Sequence, residues 1–171
     1  MSEPNDSAKA EAKLGRVMLY VGWFIVLAIL AYMFSGVEKS KVNPNRDLDQ
    51  SGSGEVILEQ NAYGQYIFTG LANGQEVDFL LDTGASSVVF TEKQAEKLGL
   101  KRGIRHRVNT ANGEIWVYST HVERLQIGSI VLRNVTAQIN PHMDVEALLG
   151  MTALGELEWS QRGDTLTIRQ P

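Results

Sequence analysis

Hydrophobic and polar positions divide the chain into two regimes. Residues 17–34, VMLYVGWFIVLAILAYMF, are apolar almost throughout, carry no acidic or basic side chain and have no polar face. From residue 55 onward the apolar residues come in short runs instead: EVILEQ, QYIFTGL, EVDFLLD, IRHRVNT, EIWVYSTHVERLQIG, IVLRNVTAQI and DTLTIR. Gly, Asn and Asp punctuate these runs, the pattern of hairpin-linked strands. One helix interrupts them at Glu92–Leu98, with Thr91 as N-cap and Gly99 as stop. A second short helix is expected after Gly150, and there is no internal repeat.

The two regimes predict an organisation. About 20 apolar residues rising ~1.5 Å each cross a bilayer core. Residues 17–34 therefore predict an uncleaved transmembrane helix; the run is longer than a signal-peptide core, and no clear small-x-small site follows it. Residues 1–16 form a polar N-terminal segment, and 35–54, SGVEKSKVNPNRDLDQSGSG, read as a flexible linker. Residues 55–171 make the folded domain. Lys9, Lys13 and Arg16 precede the apolar run and Lys39, Lys41 and Arg46 follow it, so the positive-inside count is tied. Arg16 and Lys13 lie nearest the run and lean towards a cytoplasmic N-terminus with the domain outside, which in a two-membrane bacterium means an inner-membrane anchor and a periplasmic domain.

Composition narrows the chemistry. A chain of 171 residues holds one domain and an appendage, and a net charge of −4 supplies no basic stripe for nucleic acid. With no cysteine there is no disulfide, thiolate nucleophile or thiolate metal site. The unusual feature is Asp82, set between the apolar runs Phe79-Leu80-Leu81 and Val88-Val89-Phe90. A carboxylate withdrawn from water needs a partner, hydrogen bonds or a function. Following a strand, Thr83-Gly84-Ala85 would turn the chain sharply and bring Asp82 out at the strand end, with Gly84 supplying the backbone freedom.

LLDTGASS, residues 80–87, closely resembles the active-site loop of aspartic proteases, and in Ala85 the retroviral, or retropepsin, branch. ALLGMTAL, residues 147–154, matches that family's hydrophobic-hydrophobic-Gly element, Leu148-Leu149-Gly150, and the helix after it. VNTANGEIWVY, residues 108–118, offers Asn112-Gly113 as the tip of its β-hairpin flap. The DTGAS, TANG and LLGM pattern is similar to that of bacterial membrane-anchored, single-domain retropepsin-like proteins. The resemblance implies a mainly β fold: a single-lobe β-barrel with one or two short helices, preceded by the transmembrane helix. It also implies an aspartic endopeptidase in which Asp82 is catalytic and Thr83, Gly84, Ala85 and Ser86 support the loop. Thr110, Ala111, Asn112, Gly113 and Trp116 would belong to a substrate-binding flap, although alternating Trp116 and Tyr118 fit strand core packing equally well.

Acid-dyad hydrolysis needs two carboxylates about 3 Å apart sharing a proton. This chain has one Asp-Thr-Gly, so a homodimer is expected, each subunit giving one Asp82 to a site that takes a peptide or protein substrate. No cofactor and no metal are expected. Ser86 lacks the Gly-x-Ser-x-Gly setting of a serine nucleophile, and His142, Asp144 and Glu146 in HMDVE read as a solvated loop. The competing reading is a catalytically inactive dimer of the same fold that binds peptides or a membrane partner.

Overall fold

The computed structural model describes residues 16, 18–32, 41–52, 54–110 and 113–171. The chain divides into two units, 1–40 and 41–171. In the first, residues 18–32 form helix α1, whose side chains are all exposed. No helix among the described residues is long and apolar enough to cross a membrane; residues 17, 33 and 34 of the expected span lie outside them.

The second unit is mainly β. Its strands are β1 (Glu55–Glu59), β2 (Ile67–Ala72), β3 (Gln75–Leu81), β4 (Val88–Thr91), β5 (Arg105–Thr110), β6 (Gly113–Ile127), β7 (Ile130–Asn140), β8 (Ala147–Leu149), β9 (Glu158–Arg162) and β10 (Thr165–Arg169). Helices α2 (Glu92–Lys97) and α3 (Met151–Leu154) interrupt them. Six strands run in the order β2-β3-β8-β4-β7-β6, and a pairing of β2 with β6 closes them into a barrel. At that closure a Cβ on Gly70 would stand 2.8 Å from the Gln126 carbonyl oxygen, so only glycine lets the strands meet undisturbed. β5 extends the barrel as a hairpin with β6, while β1, β10 and β9 form a separate sheet.

Alternation along the strands decides what fills the barrel. Val77 and Phe79 turn inward from β3, whereas Leu80 and Leu81 are only half-buried, so β3 is packed mainly on one face. Phe68 and Phe79, opposite each other on β2 and β3, stack with centroids 5.5 Å apart, and Phe90 meets Phe79 edge-on at 5.8 Å. All three rings are fully buried, each contributing roughly 2–3 kcal/mol of apolar burial. The expected helix forms as read: Thr91 Oγ1 accepts a hydrogen bond from Gln94 N at 3.2 Å, and Gly99 follows the helix at φ +67°.

The expected linker differs. Its described residues from Lys41 on belong to the domain rather than to a flexible tether, and two asparagines explain why. Asn45 Nδ2 donates to the carbonyls of Glu59 and Ile67 at 2.9 and 2.8 Å, and its Oδ1 accepts from Glu59 N at 2.7 Å. Asn43 Nδ2 donates to Thr69 Oγ1 and to Asp78 Oδ1, each at 3.0 Å. Both asparagines are buried, and this polar segment is fixed by Asn45 to strand backbone and by Asn43 to side chains of β2 and β3.

Candidate active site

Two neighbouring strands bring the site together. β3 and β8 run parallel with Leu81 opposite Leu149, so Asp82 and Gly150 emerge side by side at one end of the barrel. Antiparallel β4 then returns along β8, pairing Val89 with Leu148, so residues 82–87 must turn tightly over Gly150. Three hydrogen bonds hold this loop down: Asp82 N to Leu149 O at 3.1 Å, Met151 N to Ala85 O at 2.9 Å, and Val88 N to Thr152 Oγ1 at 2.9 Å. A Cβ on Gly150 would fall 2.2 Å from the Ser87 carbonyl oxygen and 2.6 Å from that of Ala85. Leu148-Leu149-Gly150 is thus the bed on which the Asp82 loop rests.

The Asp82 carboxylate is half-buried and accepts the Gly84 N–H at 2.8 Å on Oδ1. The loop's support comes from that amide and from the 3.2 Å Ala85 N to Asp82 O turn bond; among the described residues Ser86 makes no bond to the carboxylate. Thr83, Gly84 and Ser86 are exposed and Ala85 is half-buried. Asp82 opens on a cavity of about 480 Å³, roofed by the β5–β6 hairpin.

The hairpin stands where a flap was expected, with Thr110 paired to Gly113 and Val108 to Ile115. Thr110 lines the cavity; Gly113, at φ +107°, begins β6 rather than forming the tip, while Ala111 and Asn112 lie outside the described residues. Trp116 is a correction. Strand alternation sends Ile115 and Val117 into the cavity and Trp116 to the other face, 41% exposed, with the Arg105 and Arg107 guanidiniums 4.4 and 4.8 Å from its ring. It is therefore neither core nor cavity wall.

Sequence reading missed Val108, Asn109, Ile115 and Val117 on the hairpin and, on the opposite wall, Ser87, Val89, Gln138 and Asn140. The hairpin residues were within reach of the alternation rule once one inward position was known. Gln138 and Asn140 were not, because they join the site only through the parallel pairing of β7 with β4. Asp82 is the sole ionisable residue in the described lining, and no group of three or more His, Cys, Asp or Glu among the described residues is placed to hold a metal ion.

The family described as gag-polyprotein putative aspartyl protease matches residues 68–156, a span running from β2 through Asp82 and the hairpin to α3. The chain belongs to this retropepsin-like aspartic protease family. An uncharacterized protein in the cobV 5′ region of a Sinorhizobium species is 34% identical over 126 residues, covering 71% of this chain and 54% of that protein. An uncharacterized Rickettsia prowazekii (strain Madrid E) protein is 30% identical over 105 residues, covering 59% of this chain and 45% of that protein. The chain thus spans about half the length of these curated relatives. The crystal structure of a retropepsin-like aspartic protease from Rickettsia conorii shares the fold, with a TM-score of 0.58 at 24% identity over 68% of this chain and 90% of that one.

Proposed function

We propose that this retropepsin-like chain is a membrane-anchored, homodimeric aspartic endopeptidase. The observation that carries the reading is the Asp82 carboxylate, held by the Gly84 N–H and open to a peptide-sized cavity with no second acid in its described lining. The chemistry needs the second acid. One carboxylate of a pair takes a proton from water as the water oxygen attacks the scissile carbonyl carbon. The other, protonated, gives its proton to the carbonyl oxygen, forming a gem-diol. The acid that took the water's proton then protonates the amide nitrogen while the other carboxylate takes a proton from a gem-diol hydroxyl, so that the C–N bond breaks, the two peptides leave and the pair again holds one shared proton.

A second copy of Asp82 is the partner this requires. The exposure of Thr83 and Gly84 supports it, since those residues leave the loop open to a symmetry mate, and the Thr83 hydroxyl has no partner among the described residues. An extended substrate would lie between the loop and the hairpin, pairing with strand edges. The apolar helix α1, its described side chains all exposed, supports an anchor, and Arg16 and Lys13 support a bacterial inner-membrane location with the domain on the periplasmic side.

Replacing Asp82 with Asn keeps the side chain's shape and removes the acid. Peptide cleavage by Asp82→Asn is expected to disappear while its circular dichroism and sedimentation stay those of the wild type. Cleavage at the wild-type rate would show that Asp82 is not the acid.

A further inference from the structure

The cavity beside Asp82 mixes apolar and uncharged polar groups on both walls. The hairpin presents Val108, Ile115 and Val117 together with Asn109 and Thr110, and the β4–β7 side presents Val89 with Ser87, Gln138 and Asn140. Gln138 and Asn140 owe their place to strand register. β7 runs parallel to β4 with Gln138 beside Val89 and Asn140 beside Thr91. Ala137 and Ile139 are buried in the core, so the residues that alternate with them, Gln138 and Asn140, face the cavity.

These polar groups keep unspent hydrogen-bonding capacity. Gln138, half-buried, makes no side-chain hydrogen bond among the described residues, so both its carbonyl and its NH₂ are available. Asn140 Oδ1 accepts from His142 N at 2.9 Å, which leaves its NH₂. Ser87, buried, has an unspent hydroxyl among the described residues. None of these side chains is charged.

We infer that this cavity selects a carboxamide side chain, Gln or Asn, in the substrate residue it receives, with Gln138 as the specificity-determining residue. The inference rests on the proteolytic reading and names its substrate class. An aliphatic side chain would satisfy the hairpin wall but leave the Gln138 amide unpaired against it. An acidic one would lose hydration and meet the Asp82 carboxylate with no cationic residue in the described lining to balance it. A carboxamide lays its methylenes on Val108, Ile115 and Val117 and forms a reciprocal pair with Gln138, N–H to carbonyl in both directions. Two net hydrogen bonds at a half-open site correspond to about tenfold in selectivity.

The test uses the full chain and peptides identical except for one position, scanned along the sequence, that carries Gln, the similarly long apolar Met, or the isosteric Glu. At one position, wild-type kcat/KM for Gln is expected to exceed that for Met and Glu about tenfold. Gln138→Met should abolish the Gln-over-Met preference there and leave the ranking at other positions unchanged, a selective shift that general destabilisation would not produce. Equal cleavage of Gln and Met peptides at every position, or a preference that survives in Gln138→Met, overturns the inference. Binding of the same peptides to Asp82→Asn, read by fluorescence anisotropy, separates this inference from the proteolytic one. If the wild type cleaves nothing but Asp82→Asn still binds the Gln peptide tightest, the selectivity stands and the enzyme reading falls. If Asp82→Asn binds all three alike, or none, the selectivity falls.

Discussion

Gly150 offers the sharpest structural prediction, because its replacement by Ala adds one carbon against backbone that has nowhere to go. Its φ of −101° and ψ of −169° suit any L-residue, so no torsional strain enters and the whole cost is steric. The new Cβ would lie 2.2 Å from Ser87 O and 2.6 Å from Ala85 O, and neither neighbour can escape by changing rotamer. The Asp82 loop must therefore move by about 1 Å away from β8 and α3, since packed interiors leave no void to absorb it. Overpacking of this kind costs roughly 1–3 kcal/mol. The displacement also stretches the bonds Asp82 N to Leu149 O, Met151 N to Ala85 O and Val88 N to Thr152 Oγ1, each worth about 1 kcal/mol. The expected loss for Gly150→Ala is about 3–5 kcal/mol, a fall in Tm of roughly 10 °C for a chain of this size. Thermal and urea unfolding followed by circular dichroism measure it. Gly64→Ala is the control: at φ +74° with nothing within 4 Å it meets only backbone strain, about 1 kcal/mol. If Gly150→Ala costs no more than Gly64→Ala, the close packing of loop on glycine is not what holds Asp82 in place.

Two further outcomes test other parts of the structure. Asn45→Ala removes three hydrogen bonds to β1 and β2 and leaves Glu59 N and the Ile67 carbonyl without their partner; a loss of about 2–4 kcal/mol and early proteolytic cutting within 41–52 are expected, and resistance equal to wild type would contradict the clamp. The Ser51 hydroxyl, and then the Ser51 N–H, hold the Asp49 carboxyl below its ordinary 3.8, so its contribution is present above the unfolded pKa and is lost as pH falls through the lower folded one. NMR titration should place the Asp49 midpoint below 3.8 and show it rising in Ser51→Ala; a midpoint unmoved by the substitution would refute the pairing.

What was readable in the sequence were features carried by contiguous residues. LLDTGASS and ALLG announced the loop and its glycine bed, and Thr91 and Gly99 bracketed α2, because turns, caps and close approaches demand particular residues locally. β4 and β8 are 4 and 3 residues long, too short for alternation to register, so they were seen as apolar runs beside a motif rather than as barrel strands. Trp116 shows the limit of a two-residue period: it says that Trp116 and Ile115 face opposite ways, and only the fold says which faces the cavity. Asn43 and Asn45 were hidden for a different reason, since a polar, mixed-charge segment looks like a tether until its side chains find acceptors on strands far along the chain.

The central claim is that catalysis needs two copies of Asp82 in one site, and mixing tests it most directly. Wild-type and Asp82→Asn chains are co-refolded at fixed total concentration, with the wild-type fraction varied, and peptide cleavage is measured. If each site draws one Asp82 from each of two subunits, only wild-type pairs cleave, activity follows the square of the wild-type fraction, and an equal mixture retains about a quarter of full activity. Activity that falls in direct proportion, leaving about half in the equal mixture, would mean that each chain cleaves alone and would contradict the shared site.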